Sequence, residues 1–400
     1  MNKYDIVIIG AGIIGLSTAY KLLEKNSSIR ICIIEKENKI SSHQSGHNSG
    51  VIHSGIYYKP GSLKVANCIK GYKMLLKFCD LNEIPYEICG KVIIATEEKD
   101  LDALQILYDR ALANGLSGIR HISKKEINEL EPNAEGLSGI QVPQTGIVNY
   151  KIVSDKLSEL LIQKGVEIKL NEEVVEINIK NSEAEVRTRR SIFFSKAVVA
   201  CAGLYSDKIE KMIKGKSDFR IIPFRGEYYK LKVDARHLVK NLIYPVPDPA
   251  FPFLGVHFTR TIDGEIEAGP NAVLTLRKEG YKKNDFKFSE AMNTLSYKGF
   301  HKAAAKYWRT GIYEFYRSNS KKEFVKSLKK LIPVIKSEDI EEGGSGVRAQ
   351  ACNSDGILLD DFLFSENEFI INVCNAPSPA ATSCLSIGET IAEKIFKKHF

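Results

Sequence analysis

The sequence predicts an α/β chain, α+β overall, in which a Rossmann-type dinucleotide-binding domain is interleaved with a substrate domain built on a mostly antiparallel sheet. Three observations carry this. The apolar run Asp5-Ile6-Val7-Ile8-Ile9 leads straight into Gly10-Ala11-Gly12-Ile13-Ile14-Gly15, and a second run, Ile29 to Ile34, ends on Glu35. Strand, glycine turn, helix start and an acid about twenty residues beyond the last glycine are the context that a dinucleotide fingerprint requires. Residues Tyr228 to Ala268 read as strands among aromatics, prolines and turns, as in an antiparallel sheet. The chain then returns to a strand, a loop and a helix at its end, so the domains are discontinuous.

In the first unit Gly10 permits the tight turn, Gly12 lets backbone approach a pyrophosphate, and Gly15 lets helix and strand pack closely. Amides at the helix start, at Ile13 and Ile14, meet the anion. Glu35 can accept hydrogen bonds from ribose hydroxyls and disfavours a 2′-phosphate, which points to FAD or NAD ahead of NADP; Lys36 beside it is assigned to the same ligand.

Ser41 to Gly61 is polar and glycine-punctuated, a loop. Residues 63–80 and 97–114 have helical apolar spacing, with Val92 to Ala95 a strand between them. An amphipathic helix over 151–164 precedes strands at Val166 to Leu170, Val174 to Ile179 and Ala184 to Arg190. Ala197 to Gly203 reads as a buried strand with a small-residue turn, followed by a helix from Leu204 to Ile213. Residues 288–335 read as helical, Gly343-Gly344 as a turn, Phe369 to Val373 as a strand, and Ala381 to Lys398 as the closing helix.

Bulk properties narrow the function class. Four hundred residues accommodate two domains, and 44% hydrophobic with 26% charged residues is a folded composition without a bilayer-spanning run. The amino terminus opens almost at once on a strand, so secretion is not expected; the expected place is the cytoplasm or the cytoplasmic face of the inner membrane. Eight cysteines without a C-x-x-C pair support neither a zinc knuckle nor a dithiol motif, and no metal is expected. The net charge of +8 is spread through a Lys-rich chain, and no nucleic-acid-binding module is present. Between Tyr297 and Leu331 basic residues outnumber acids, with Phe300, Tyr307, Trp308, Ile312, Phe315 and Phe324 interleaved. Such a helix can lie on an anionic membrane. The favoured alternative puts its aromatics against the core and its lysines in water.

Five strings in order give a resemblance that runs nearly end to end: Gln44-Ser45-Gly46-His47-Asn48-Ser49-Gly50-Val51-Ile52-His53-Ser54-Gly55-Ile56-Tyr57-Tyr58; Pro223-Phe224-Arg225-Gly226-Glu227-Tyr228; Tyr244-Pro245-Val246-Pro247-Asp248-Pro249 with Phe253-Leu254-Gly255-Val256-His257; Gly346-Val347-Arg348-Ala349-Gln350; and Asn375-Ala376-Pro377-Ser378-Pro379-Ala380-Ala381-Thr382-Ser383. The chain resembles the FAD-dependent D-amino-acid oxidase-like superfamily and, within it, the L-2-hydroxyglutarate oxidase or dehydrogenase family. The resemblance implies oxidation of L-2-hydroxyglutarate, a small dicarboxylate, to 2-oxoglutarate through FAD, with a membrane quinone or dioxygen as acceptor and peripheral membrane association. A sister enzyme acting on an amino acid or glycerol 3-phosphate, or an idle flavin-bound binding module, is the competing reading. The implied FAD-binding domain comprises residues 1–80, 145–220 and 340–400, and the substrate domain 81–144 and 221–339.

Such a reaction needs a base for the hydroxyl proton and fixed cations for carboxylates. His53 and His257 are the candidate bases; strand alternation puts Gly255, His257 and Thr259 on one side. Arg348 is the first candidate for a carboxylate, followed by Arg225 and Arg260, with Tyr228, Tyr244 and Tyr57 as hydroxyl donors. The resemblance places Val174 and Val175 near the adenine and Ala202-Gly203 at the pyrophosphate. It places Ser45, Asn48, Ser49 and Gly50 around the isoalloxazine, with the closing loop, including Asn375, Pro377, Ser378, Ala380 and Ala381, at the flavin.

Overall fold

The computed structural model describes residues 3–180, 182–248 and 253–400. Pro249, the end of one family string, lies outside the described residues. The first apolar run forms the strand Lys3–Ile9, which lies parallel between Ile31–Ile34 and Ile192–Ala200. The sheet runs Val174–Lys180, Glu183–Thr188, Ile192–Ala200, Lys3–Ile9, Ile31–Ile34, Glu167–Lys169, with Ile370–Asn375 parallel to Ile192–Ala200 and Leu363–Glu366 antiparallel to Ile370–Asn375. A parallel strand is covered on both faces, which is why Ile6, Val7 and Ile8 are apolar without alternation and fully buried. The helices Ile13–Lys25 and Cys384–His399 pack on each other, and Ile8, Leu16, Ile33 and Ile391 share one core. Truncating Leu16 to Ala there costs about 2–5 kcal/mol.

The second sheet runs Val273–Leu274, Phe219–Leu231, Ile266–Gly269, His257–Arg260, Ile243–Pro245, Lys91–Ala95, Ser138–Val142, Arg120–Ser123, with Ile340–Asn353 also paired to Phe219–Leu231. Its pairs are antiparallel except Ile243–Pro245 with Lys91–Ala95. Glu131 sets the entry to the Ile243–Pro245 strand: its buried carboxylate accepts the amides of Lys240 at 2.9 Å and Asn241 at 2.8 Å. A small sheet of Val51–Ile52, Gly146–Val148 and Tyr86–Glu87 carries the chain from the first loop toward the second sheet.

Three expectations need correction. Gly343-Gly344 is not a turn but part of the long strand Ile340–Asn353, so residues 340–353 belong to the substrate sheet rather than to the nucleotide domain. Glycine serves there for close approach: a Cβ on Gly346 would stand 2.6 Å from the His47 carbonyl oxygen. The closing helix begins at Cys384 rather than Ala381, because Pro377 and Pro379 hold the preceding chain in turns. The aromatics of the basic segment divide instead of all facing the core. Phe324 is buried and Phe300 and Tyr307 half-buried, but Trp308, Ile312 and Phe315 are exposed. The helix Lys298–Asn319 docks by its other face, where Glu314 accepts the Ala272 amide at 2.9 Å and pairs with Arg317. Among the described residues, no helix is long and apolar enough to cross a membrane.

Candidate active site

A cavity of about 1590 Å³ joins the carboxyl end of the Lys3–Ile9 strand to the face of the second sheet. Gly10, Gly12, Ile13, Ile14, Glu35 and Lys36 line it. Gly10 has φ +103°, and a Cβ there would stand 2.6 Å from the Cys201 carbonyl oxygen; one on Gly15 would stand 2.0 Å from the Gly10 carbonyl oxygen. Gly15 does not itself line the cavity but lets the turn close. The helix start has no side-chain cap on Gly12 and no acid in its first turn, the arrangement that receives a phosphate. Glu35 is fixed by accepting the Ala11 amide at 2.8 Å and the Glu37 amide at 3.0 Å, which leaves lone pairs for ribose hydroxyls. These residues fit the ADP half of a dinucleotide.

Val174, Ala202 and Gly203 line the same cavity, whereas Val175 does not. Lys36 is drawn into ion pairs with Glu37 and Glu279, so its ammonium serves the protein rather than a phosphate. Ser45 lines the cavity as well and accepts the Ile13 amide at 2.8 Å, which puts it at the helix start. Asn48 and Ser49 line the cavity, and Asn48 is braced by donating to the Ser45 carbonyl at 2.8 Å. Gly50 does not reach it: its carbonyl accepts the Val148 amide at 2.8 Å and its backbone serves the small sheet. Asn375, Pro377, Ser378, Ala380 and Ala381 form the opposite wall, with Asn375 donating to the carbonyls of Leu359 and Asp361.

The substrate sheet supplies the remaining wall: Tyr228, Tyr244, His257 and Arg348, with His53 and Tyr57 from the first loop. His257 Nδ1 faces the Gly255 carbonyl at 2.8 Å, so this nitrogen carries the proton and Nε2 is left as an acceptor. Burial pushes His257 down to about 3, helped by the charges of Arg348 and Lys91 and opposed by the Gly255 carbonyl. His53 is likewise lowered to about 3 by burial, with Lys91, His257 and Lys64 adding to it. The His53 Nε2 lies 3.2 Å from Ser378 Oγ, so of the two imidazoles His257 has the freer basic nitrogen. Both rings are neutral at ordinary pH, so each has one unprotonated nitrogen. Burial raises Tyr228 to about 12 and Tyr244 further, which keeps both as neutral donors.

Arg348 is half-buried, packs over the Phe253 ring at 5.0 Å, and has no carboxylate partner among the described residues. Its open side is the cavity. Arg225 and Arg260 are not brought there. In the paired strands Arg348 stands opposite Phe224 and Arg225 opposite Val347, so the two arginines point to opposite faces. Arg225 is used up by Glu227 at 2.8 Å and the Lys282 carbonyl at 2.8 Å. Arg260 lies three residues from His257 on one strand and therefore on its other face, where it pairs with Glu87 at 2.5 Å.

Sequence reasoning passed over Lys91. It is buried, with its Nζ over the rings of Tyr57 and Tyr244, and the available signal was a lysine opening an otherwise apolar strand.

Comparison with known proteins shows the family. The profile of the family described as FAD dependent oxidoreductase matches residues 5–394. The L-2-hydroxyglutarate dehydrogenase of Indibacter alkaliphilus is 52% identical over 396 residues, 99% of each chain. That of Escherichia coli K12 is 43% identical over 393 residues, 98% of this chain and 93% of its own. Among solved structures, L-α-glycerophosphate oxidase of Mycoplasma pneumoniae with FAD bound superposes with TM-score 0.81 at 22% identity, covering 99% of this chain and 95% of its own. Glycine oxidase of Geobacillus kaustophilus gives TM-score 0.72 at 18% identity, covering 100% and 96%. At these identities the structures speak for the fold alone.

Proposed function

We propose that this chain, which belongs to the FAD dependent oxidoreductase family, oxidises L-2-hydroxyglutarate to 2-oxoglutarate with FAD as its cofactor. The observation that carries the reading is the cavity wall itself: an arginine without a carboxylate partner, Arg348, beside an imidazole with a free basic nitrogen, His257. FAD supplies, when bound, an acceptor for the hydride on the substrate Cα. Gly10, Gly12, Ile13 and Ile14 would hold its pyrophosphate, Glu35 a ribose, Val174 the adenine side, and Asn48, Ser49 and the Asn375 to Ala381 wall the ring system.

Arg348 grips one substrate carboxylate with its planar guanidinium and so fixes the hydroxyl-bearing carbon. His257 Nε2 accepts the hydroxyl proton as the carbon is oxidised, and the Gly255 carbonyl holds the tautomer that makes this possible. Tyr228 and Tyr244 stay protonated as donors to the substrate's oxygens.

The electrons pass on to a quinone or dioxygen. The helix Lys298–Asn319 favours a membrane quinone: Trp308, Ile312, Phe315 and Tyr316, 54–63% exposed, lie on one face, with Lys302, Lys306 and Arg309 on its flanks. A protein seated by this face meets an apolar electron carrier in its own solvent. Co-sedimentation with anionic vesicles tests it: the double substitution Trp308→Ser, Phe315→Ser is expected to lower vesicle binding at least several-fold without changing flavin content, and unchanged binding rejects this face.

The substrate test is anaerobic. Flavin-loaded protein is mixed with L-2-hydroxyglutarate and, in parallel, its D enantiomer, glycerol 3-phosphate and glycine, while the flavin absorbance is followed. Rapid bleaching by the L enantiomer alone is expected. Bleaching by another compound moves the substrate, and bleaching by none supports a binding module.

A further inference from the structure

Lys91 begins a strand whose other four residues, Val92 to Ala95, are buried and apolar, and it is itself only 3% exposed. Its ammonium lies 4.3 Å from the centre of the Tyr57 ring and 4.8 Å from that of Tyr244. No carboxylate among the described residues pairs with it. The neighbouring Cys68 thiol is pushed up to about 12 by burial, so it brings no countercharge. The Tyr57 hydroxyl beside it is buried and without a hydrogen-bond partner. A buried ammonium is costly in free energy, and two aromatic faces offset only part of that cost. Arg348 repeats the pattern. Arg348 thus lines the cavity and Lys91 stands behind two of its lining rings, and neither has an ion-pair partner among the described residues, while other buried cations of this chain, such as Lys278 with Asp207 and Arg317 with Glu314, are paired.

We propose that Lys91 is a specificity-determining residue for the substrate's second carboxylate. Arg348 takes one carboxylate directly, and Lys91, behind the Tyr57 and Tyr244 rings that line the cavity, acts through them and supplies the positive field that favours the other. The proposal rests on the reading of the substrate as a dicarboxylate and names the group that tells it from a monocarboxylate. Field rather than contact is the means, since the rings lie between Lys91 and the open space.

The field has its own pH dependence. Burial lowers Lys91 to about 7, so its charge is present below that pH and fades above it. The other groups facing the site do not follow that course: His53 and His257 are held neutral, Tyr57, Tyr58 and Tyr244 are held protonated, Arg348 stays charged, and Lys64 is paired with Asp360 at 2.6 Å.

The test uses flavin-loaded protein and two unreactive probes, glutarate with two carboxylates and pentanoate with one, titrated against the flavin absorbance between pH 6 and 8.5. Wild type is expected to bind glutarate about tenfold more tightly than pentanoate at pH 6. That advantage should shrink as pH passes 7. Lys91→Arg should keep it at every pH. Lys91→Met should lose most of it at every pH with pentanoate binding within about twofold, because Coulomb attraction weakens with distance and acts mainly on the nearer, second carboxylate. Lys91→Met discriminating like wild type overturns the proposal, as does equal loss of both probes, which marks a structural role. Should Lys91→Met fail to hold flavin, the pH course of wild type against Lys91→Arg decides. Wild type without any preference for glutarate at pH 6 overturns the dicarboxylate reading together with this one.

Discussion

The two walls of the cavity are made of different material. The nucleotide wall is mainly backbone: the Gly10 turn, the helix start at Gly12 and the loop amides that Glu35 and Ser45 tie down. The substrate wall is side chain: Arg348, His257, Tyr228 and Tyr244, delivered by strands far apart in sequence. Backbone donors are the same whatever the residue, so the first wall is generic and governs whether flavin is held. Side chains can be exchanged singly, so on the proposed reading the second wall governs which acid reacts and how fast.

The sharpest test of that division is His257→Ala. Removing a general base is expected to slow anaerobic flavin reduction by about 10²–10⁴-fold while leaving flavin content unchanged, read by stopped flow and by the absorbance ratio. Reduction within tenfold of wild type would show that His257 is not the base. Arg348→Met comes next: the dissociation constant for L-2-hydroxyglutarate should rise about 100-fold, again with full flavin. Flavin lost together with substrate affinity would erase the boundary between the walls. Gly10→Ala is the mirror experiment. Its φ of +103° and the 2.6 Å approach to Cys201 oppose any Cβ, so flavin occupancy should fall several-fold, while the fraction that keeps flavin reacts at the wild-type rate. The smallest effect concerns pH. Because His53 and His257 are lowered to about 3, their neutral forms persist as pH falls, and the rate of flavin reduction should show no acid limb from them between pH 5 and 8. A limb near the usual histidine value in wild type, absent in both histidine variants, would refute that.

The same contrast explains what was legible in the sequence. Gly10, Gly12, Gly15 and Glu35 could be read because a turn, a phosphate and a helix dictate their spacing within one βαβ unit. The substrate wall has no such local rule. Arg225 and Arg348 look alike in sequence, and only the pairing of Phe224 with Arg348 turns one in and the other out. Arg260 stood among the candidates although alternation from His257 already turns it to the other face, a signal that was present in the sequence. Lys91 stayed hidden because a lysine at a strand end normally reaches water, and nothing local says that Tyr57 and Tyr244 will close over it. Gly343 and Gly344 misled because glycine pairs mark turns in general, whereas here they sit within a long strand at a register shift in its pairing.

The partnership of Phe219–Leu231 with Ile340–Asn353 also bears on how this chain can vary. From Ser345 to Arg348 the pairing with Glu227 to Phe224 is regular and side chains alternate, so adding or deleting a single residue between Ser345 and Arg348 would swing the guanidinium to the far side of the sheet, where Arg225 and Glu227 already stand. Length in that stretch is therefore under tighter restraint than residue identity, and descendants of this protein can drift by replacement there but not by insertion.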